Sequence, residues 1–206
     1  LFLITPLHLC IFYLLTILLI YRISKNFYNT AIFAFNPLVI IETIVSNHND
    51  IVMMFFALFA VLLAQKNKYL TAYLFLLLSI FIKFSTIFLI PVLVYMLYSK
   101  IKQNSLSMEK IYLMLTFSMG IIFLLSPLRE EMYPWYAVWF LTFACLLRNK
   151  LVLVITSTLS LGLLFRYLPY MYLGTYDFPT PLLRIIFTAI PVAIGLIYYW
   201  YKFKRA

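Results

Sequence analysis

The chain has 206 residues, 66% of them hydrophobic and 11% charged, and a formal net charge of +10. Soluble domains carry ~45–50% apolar and ~25% charged residues, so a water-soluble fold of this length is excluded. Nucleic-acid binding is excluded as well, because the basic residues fall in twos and threes between apolar runs and form no stripe.

Glycine occurs only at positions 120, 162, 174 and 195, which leaves no glycine-rich phosphate loop and no GxxxG seam. Cys10 and Cys145 sit inside apolar runs with no cysteine or histidine at ligand spacing, so neither a disulfide nor a zinc site is expected. The chain opens at Leu1 inside an apolar run. That start reads as the C-terminal portion of a longer protein, with residues 1–206 forming a single membrane domain.

Nine apolar runs follow in order: 1–21, 30–46, 50–65, 69–83, 86–99, 111–126, 134–147, 151–167 and 184–201. Backbone polar groups must be satisfied internally in lipid, and period-2 alternation is absent, so these runs predict helices and not a barrel. The predicted fold is an all-α polytopic transmembrane bundle of about nine passes. Several runs are short or broken, as tilted or well-packed spans can be.

Charge fixes the register of these passes. With one crossing per run, one side collects Arg22, Lys25, Lys66, Lys68, Lys100, Lys102, Lys110, Arg148, Lys150, Lys202, Lys204 and Arg205, with Glu109 as its only acid. The other side holds Lys83, Arg129, Arg166 and Arg184, together with Glu42, Asp50, Glu130, Glu131 and Asp177. This is a positive-inside pattern, and it requires a break near Lys83. The acid-rich side is therefore expected to be extracytoplasmic, in a plasma-membrane protein.

Three clusters on that side are candidates for chemistry. Asn36-Pro37 starts a helix that carries Glu42, followed by Ser46-Asn47-His48-Asn49-Asp50. One reading is a helix cap made by an Asn or Asp oxygen. The other is a site, since Asp beside His suits proton transfer or the binding of phosphate and sugar hydroxyls. Lys83 lies between two apolar runs, either snorkelling to the interface or aimed at an anion such as a lipid phosphate. Arg129-Glu130-Glu131-Met132-Tyr133-Pro134-Trp135-Tyr136 reads either as an outer loop with an aromatic anchor or as a sugar site. In the second reading, aromatic faces stack on the sugar and charged groups take its hydroxyls or phosphate. Arg166 and Arg184 flank the last outer loop and are lesser candidates for the same phosphate. Asp177 reads as a turn residue.

Asn36-Pro37-Leu38, Glu42, His48-Asn49-Asp50, Lys83 with Pro91, and Tyr133-Pro134-Trp135-Tyr136 with Trp139 together resemble multi-pass type-C glycosyltransferases that use polyprenyl-phosphate sugars, in their mannosyltransferase-like branch. The resemblance implies an inverting transfer of a sugar, a hexose such as mannose, from a lipid-phosphate donor to a glycan or glycolipid acceptor outside the cytoplasm. It also implies a catalytic carboxylate near the first outer loop, which in this family lies upstream of Leu1. Within this chain Asp50, Glu42 and Glu130 are the candidate bases. His48, Asn49, Lys83, Arg129, Tyr133, Trp135 and Tyr136 are the candidate substrate contacts. No cofactor is identified, since no acidic pair has the spacing to hold a divalent metal. The rival readings are a transporter or flippase for a lipid-linked or anionic substrate, and a non-catalytic membrane subunit.

Overall fold

A computed structural model describes residues 4–128 and 131–203. Among these residues every element is helical: α1 Ile4–Ser24, α2 Phe27–Ala34, α3 Pro37–Ile40, α4 Asp50–Gln65, α5 Tyr69–Ile82, α6 Ile90–Ile101, α7 Met108–Leu125, α8 Ala137–Ala144, α9 Lys150–Phe165, α10 Leu168–Leu173 and α11 Thr180–Phe203. A π turn over Ile41–Val45 extends α3, and tight 3-10 turns cover Phe84–Leu89, Ser126–Leu128 and Pro134–Tyr136.

Each apolar run becomes a helix or a broken helix, but they differ in reach. Five segments are long and apolar enough to cross a bilayer: Leu7–Ser24, Phe84–Ile101, Met108–Leu128, Lys150–Leu173 and Thr180–Phe203. A sixth is the pair Phe27–Ala34 and Pro37–Val45, bent by 53°. The remaining runs are shorter than a nine-pass count requires. At 1.5 Å per residue, the 16 residues of α4 span about 24 Å and the 14 of α5 about 21 Å, against a hydrocarbon core of ~30 Å. The run 134–147 departs furthest, because a 3-10 turn and an eight-residue helix take up most of it.

Packing accounts for the short elements. α4 lies at the centre of the bundle, against α1, α5, α6 and α8. Met53, Met54, Ala57, Leu58, Ala60 and Val61 are fully buried, and Val52, Phe55, Phe56 and Phe59 on the opposite side are partly buried. α8 is likewise enclosed, with every residue from Ala137 to Ala144 buried. A helix surrounded by protein need not match the bilayer, since its neighbours and not lipid cover its ends.

The breaks have local causes. Asn36 caps α3, its Oδ1 accepting from the Leu38 and Val39 amides at 3.0 and 3.4 Å, and Pro37 takes the first helical position. The Asn36 Nδ2 donates to Ser160 Oγ at 3.1 Å, which ties this corner to α9. At Lys83 the backbone is extended (φ −155°, ψ 126°) and ends α5. Ser79 closes that break by donating to the Met53 carbonyl at 2.8 Å and lying 3.0 Å from the Thr86 hydroxyl.

Contacts sort the loops into two ends. Gln65 donates to Tyr112 Oη, Tyr69 to the Met96 carbonyl and the Arg148 amide to Glu109, so the basic loops gather together. Asp50, Lys83, Tyr133–Trp139 and Tyr167 gather at the other end, as described below.

α9 and α11 pack side by side with glycine at their closest points. A Cβ on Gly162 would run into the Thr188 carbonyl, and one on Gly195 would come within 2.6 Å of the Thr158 side chain. Without a GxxxG motif, single glycines on facing helices give the same close approach. Gly162→Val is expected to separate the two helices and lower stability by about 1–3 kcal/mol, as overpacking does. Detergent-solubilised thermal unfolding checks it, with Gly120→Val, which meets nothing within 4 Å, as the reference.

Candidate functional site

At the N-terminus of α4, Asp50 is 2% exposed, and its Oδ1 carries all its described partners. Lys83 Nζ donates to it at 2.9 Å, and the Trp139 indole N–H donates to the same oxygen. The Oδ2 atom is buried and accepts no hydrogen bond. Residues 50, 83 and 139 are far apart in sequence and meet because α4, the α5 break and α8 pack together.

Lys83 also lies over two rings, 4.4 Å from the Tyr136 centroid and 5.2 Å from that of Trp139. The rings continue outward. Tyr136 stacks on Trp139 at 4.3 Å, Trp135 on Tyr133 at 4.3 Å, and His48 on the other face of Trp135 at 4.0 Å. The Tyr-Pro-Trp-Tyr stretch thus forms a wall between the His48 turn and Lys83.

Glu42, 1% exposed, lies under this turn where the helix widens into its π segment. Tyr167 donates to its Oε1 at 2.7 Å, and its buried Oε2 has no hydrogen bond. The His48 Nε2 stands 3.6 Å from that atom, beyond hydrogen-bond range. The site therefore holds two buried carboxylates, each anchored through one oxygen and unbonded at the other. Buried carboxylate oxygens normally find partners, so these two atoms are candidates for receiving a ligand.

Beside this cluster a cleft of about 470 Å³ is lined by the polar Lys83, Ser85, Ser126, Tyr136 and Trp139 together with the apolar Phe84, Phe88, Ile122 and Leu125. Phe84 and Phe88 are exposed, so the cleft has an apolar flank at the bundle surface. Below Asp50, α4 is apolar from Ile51 through Leu58, so the helix itself offers no polar side chain along that stretch.

The candidate residues are placed as follows. Glu42, His48, Asp50, Lys83, Tyr133, Trp135 and Tyr136 come together. Asn49 is exposed at the cap position of α4, and its side chain caps nothing, so the polar turn is not spent on capping. Asn47 turns the chain with a positive φ of 57°, a conformation Asn tolerates. Lys83 is engaged in an ion pair and does not simply snorkel. Arg129 and Glu130 lie outside the described residues. Arg184 pairs with Glu131 at 2.8 Å, away from Lys83. Asp177 belongs to a turn, accepting from the Thr175 hydroxyl at 2.9 Å. Among the described residues, no group of three or more His, Cys, Asp or Glu side chains is placed to hold a metal ion.

Two partners escaped the sequence reading. Trp139 contributes to the resemblance, but its bond to Asp50 was not legible; a buried indole N–H needs an acceptor, and that need is the available signal. Tyr167, at the end of its apolar run, carries no reading of its own in the sequence.

Burial pushes the His48 imidazole below its ordinary value, and Lys83 adds to that, while Asp50 pulls the other way. The unfolded chain therefore binds this proton more readily than the folded one. Stability rises with pH through the ordinary histidine range and is full above about pH 6.5. His48→Phe keeps a ring against Trp135 and is expected to flatten that acid-side decline, read from thermal unfolding between pH 5 and 7.5.

Fold and site together define an all-helical membrane protein with a buried carboxylate paired to a half-buried lysine beside an aromatic wall. Residues 1–99 match a family model described as MptA_B family, alpha-(1->6)-mannopyranosyltransferase, N-terminal domain. The match spans just under half of the chain and supports a mannosyltransferase-like family. It includes Glu42, His48, Asp50 and Lys83, and it ends before the aromatic wall. No curated protein and no solved structure matches the chain.

Proposed function

We propose that the protein is a membrane glycosyltransferase. It moves a hexose, mannose foremost, from a polyprenyl-phosphate donor to a glycan or glycolipid acceptor at the extracytoplasmic face of the plasma membrane. About nine helical segments cross the bilayer, α4 and α8 as short passes packed into the protein and α5 as a short pass with one exposed apolar face. The observation that carries this reading is Asp50: one oxygen fixed by Lys83 and Trp139, the other buried and unbonded, beside a cleft with a cationic mouth and an apolar flank.

In this mechanism the acceptor hydroxyl gives its proton to the free Oδ2 of Asp50 as its oxygen attacks the anomeric carbon. The bond from that carbon to the phosphate oxygen breaks, and its electron pair leaves with polyprenyl phosphate. Attack from the opposite face inverts the centre. The Lys83 ammonium, which has N–H groups to spare beyond its bond to Asp50, faces the developing phosphate charge. The prenyl chain leaves along Phe84, Phe88 and Leu125. Tyr133, Trp135 and Tyr136 form the sugar wall, and His48 and Glu42 orient hydroxyls through their unbonded atoms.

The test is transfer of radiolabelled mannose from polyprenyl-phosphate mannose by membranes containing the full-length protein. Asp50→Asn and Glu42→Gln are assayed side by side. Loss confined to Asp50→Asn supports the assigned base. Loss confined to Glu42→Gln transfers the role to that residue, and unaltered transfer in both removes the mechanism.

A further inference from the structure

α9, α11, Pro127, Glu131 and Met132 line a second groove of about 770 Å³. Its upper end carries Arg166, Arg184 and Glu131, and its floor is Leu159, Ala189, Val192, Ala193 and Leu196. The small side chains Ala189 and Ala193 open the groove, since larger residues at these exposed positions of α11 would fill it.

Three features identify the occupant. The Arg166 Nε is buried and has no hydrogen-bond partner, whereas Arg184 is held by Glu131 at 2.8 Å. Among the described residues lining the groove, two guanidinium groups against one carboxylate leave one net positive charge, which matches the single negative charge of a phosphodiester. Depth agrees with this. The 12 residue steps from Arg184 to Leu196 cover about 18 Å of helix, close to one leaflet of a hydrocarbon core of ~30 Å. A chain lying on α11 with its head at Arg184 therefore ends near the bilayer midplane.

We propose that this groove is a binding site for an anionic phospholipid. Its phosphodiester is held by Arg166 and Arg184, and one acyl chain runs along Ala189 and Ala193. The site is separate from the sugar-transfer site and does not depend on its assignment. The bound lipid covers the α9–α11 seam, which approaches so closely at Gly162 and Gly195 that no side chain fills it.

The experiment is native mass spectrometry of the full-length protein in neutral detergent, with dioleoylphosphatidylglycerol, dioleoylphosphatidylcholine or inorganic phosphate added. Retention of phosphatidylglycerol over phosphatidylcholine is expected. Arg166→Gln with Arg184→Gln should weaken it about thirty-fold, from two interfacial charges. Ala193→Trp should abolish it by filling the groove with both arginines intact. Glu131→Gln should strengthen it, a gain that misfolding does not produce. Equal retention of both lipids, persistence in Ala193→Trp, weakening in Glu131→Gln, or full displacement by millimolar inorganic phosphate overturns the proposal.

Discussion

Asp50→Asn is expected to lower mannose transfer by about a thousand-fold while leaving the protein folded. The substitution is isosteric. The amide oxygen still accepts from the Trp139 indole and from Lys83, so the ring wall and the α5 break keep their anchor. Lys83 is 31% exposed and can hydrate when its counter-charge is lost, which limits the structural cost. What disappears is the capacity of Oδ2 to take a proton, and general base catalysis contributes ~10²–10⁴-fold. Transfer rate and the yield of monodisperse protein are measured on the same preparation. A parallel fall in both would make Asp50 a structural residue and withdraw its chemical role.

The sequence exposed whatever has a local cause. Pro37 behind Asn36 marks a helix start where it stands, and the charge balance that requires a break near Lys83 is met by the extended backbone there. The sidedness of charge was also readable, since the basic loops do meet at the end away from Asp50. Length was less legible. Pro134 begins a 3-10 turn, and the chain leaves the helix at Cys145, so a run of apolar letters yields only eight α-helical residues. Nothing in α4 announced that it is central, because a helix apolar on every side carries no stripe to orient it.

Convergence was the least legible property of all. The residues that touch Asp50 lie 33 and 89 positions away, and Tyr167 is 125 positions from Glu42. Sequence could nominate Asp50, Lys83 and the aromatic stretch separately, each with a bland alternative. Packing decides between the alternatives, since a lysine that only snorkelled would not end 2.9 Å from a buried carboxylate. A buried indole donor among apolar neighbours is the one missed feature that chemistry alone marks as needing a partner.

Lys83→Met is expected to be the most destabilising single change at the site. It leaves Asp50, 2% exposed, with a charge and only the indole to face it. Removing one member of a buried pair costs ~3–5 kcal/mol, and the lower part of that range applies because Lys83 is itself partly solvated. The double variant Asp50→Asn with Lys83→Met should recover most of that loss, since no buried charge remains and the methionine keeps the lysine stem's contacts with Tyr136 and Trp139. Its transfer activity should stay absent. Thermal unfolding of the wild type, both single variants and the double variant completes the cycle. Additive losses would mean that the two residues do not interact. A recovered fold with no recovered transfer separates the chemical contribution of the pair from its contribution to stability.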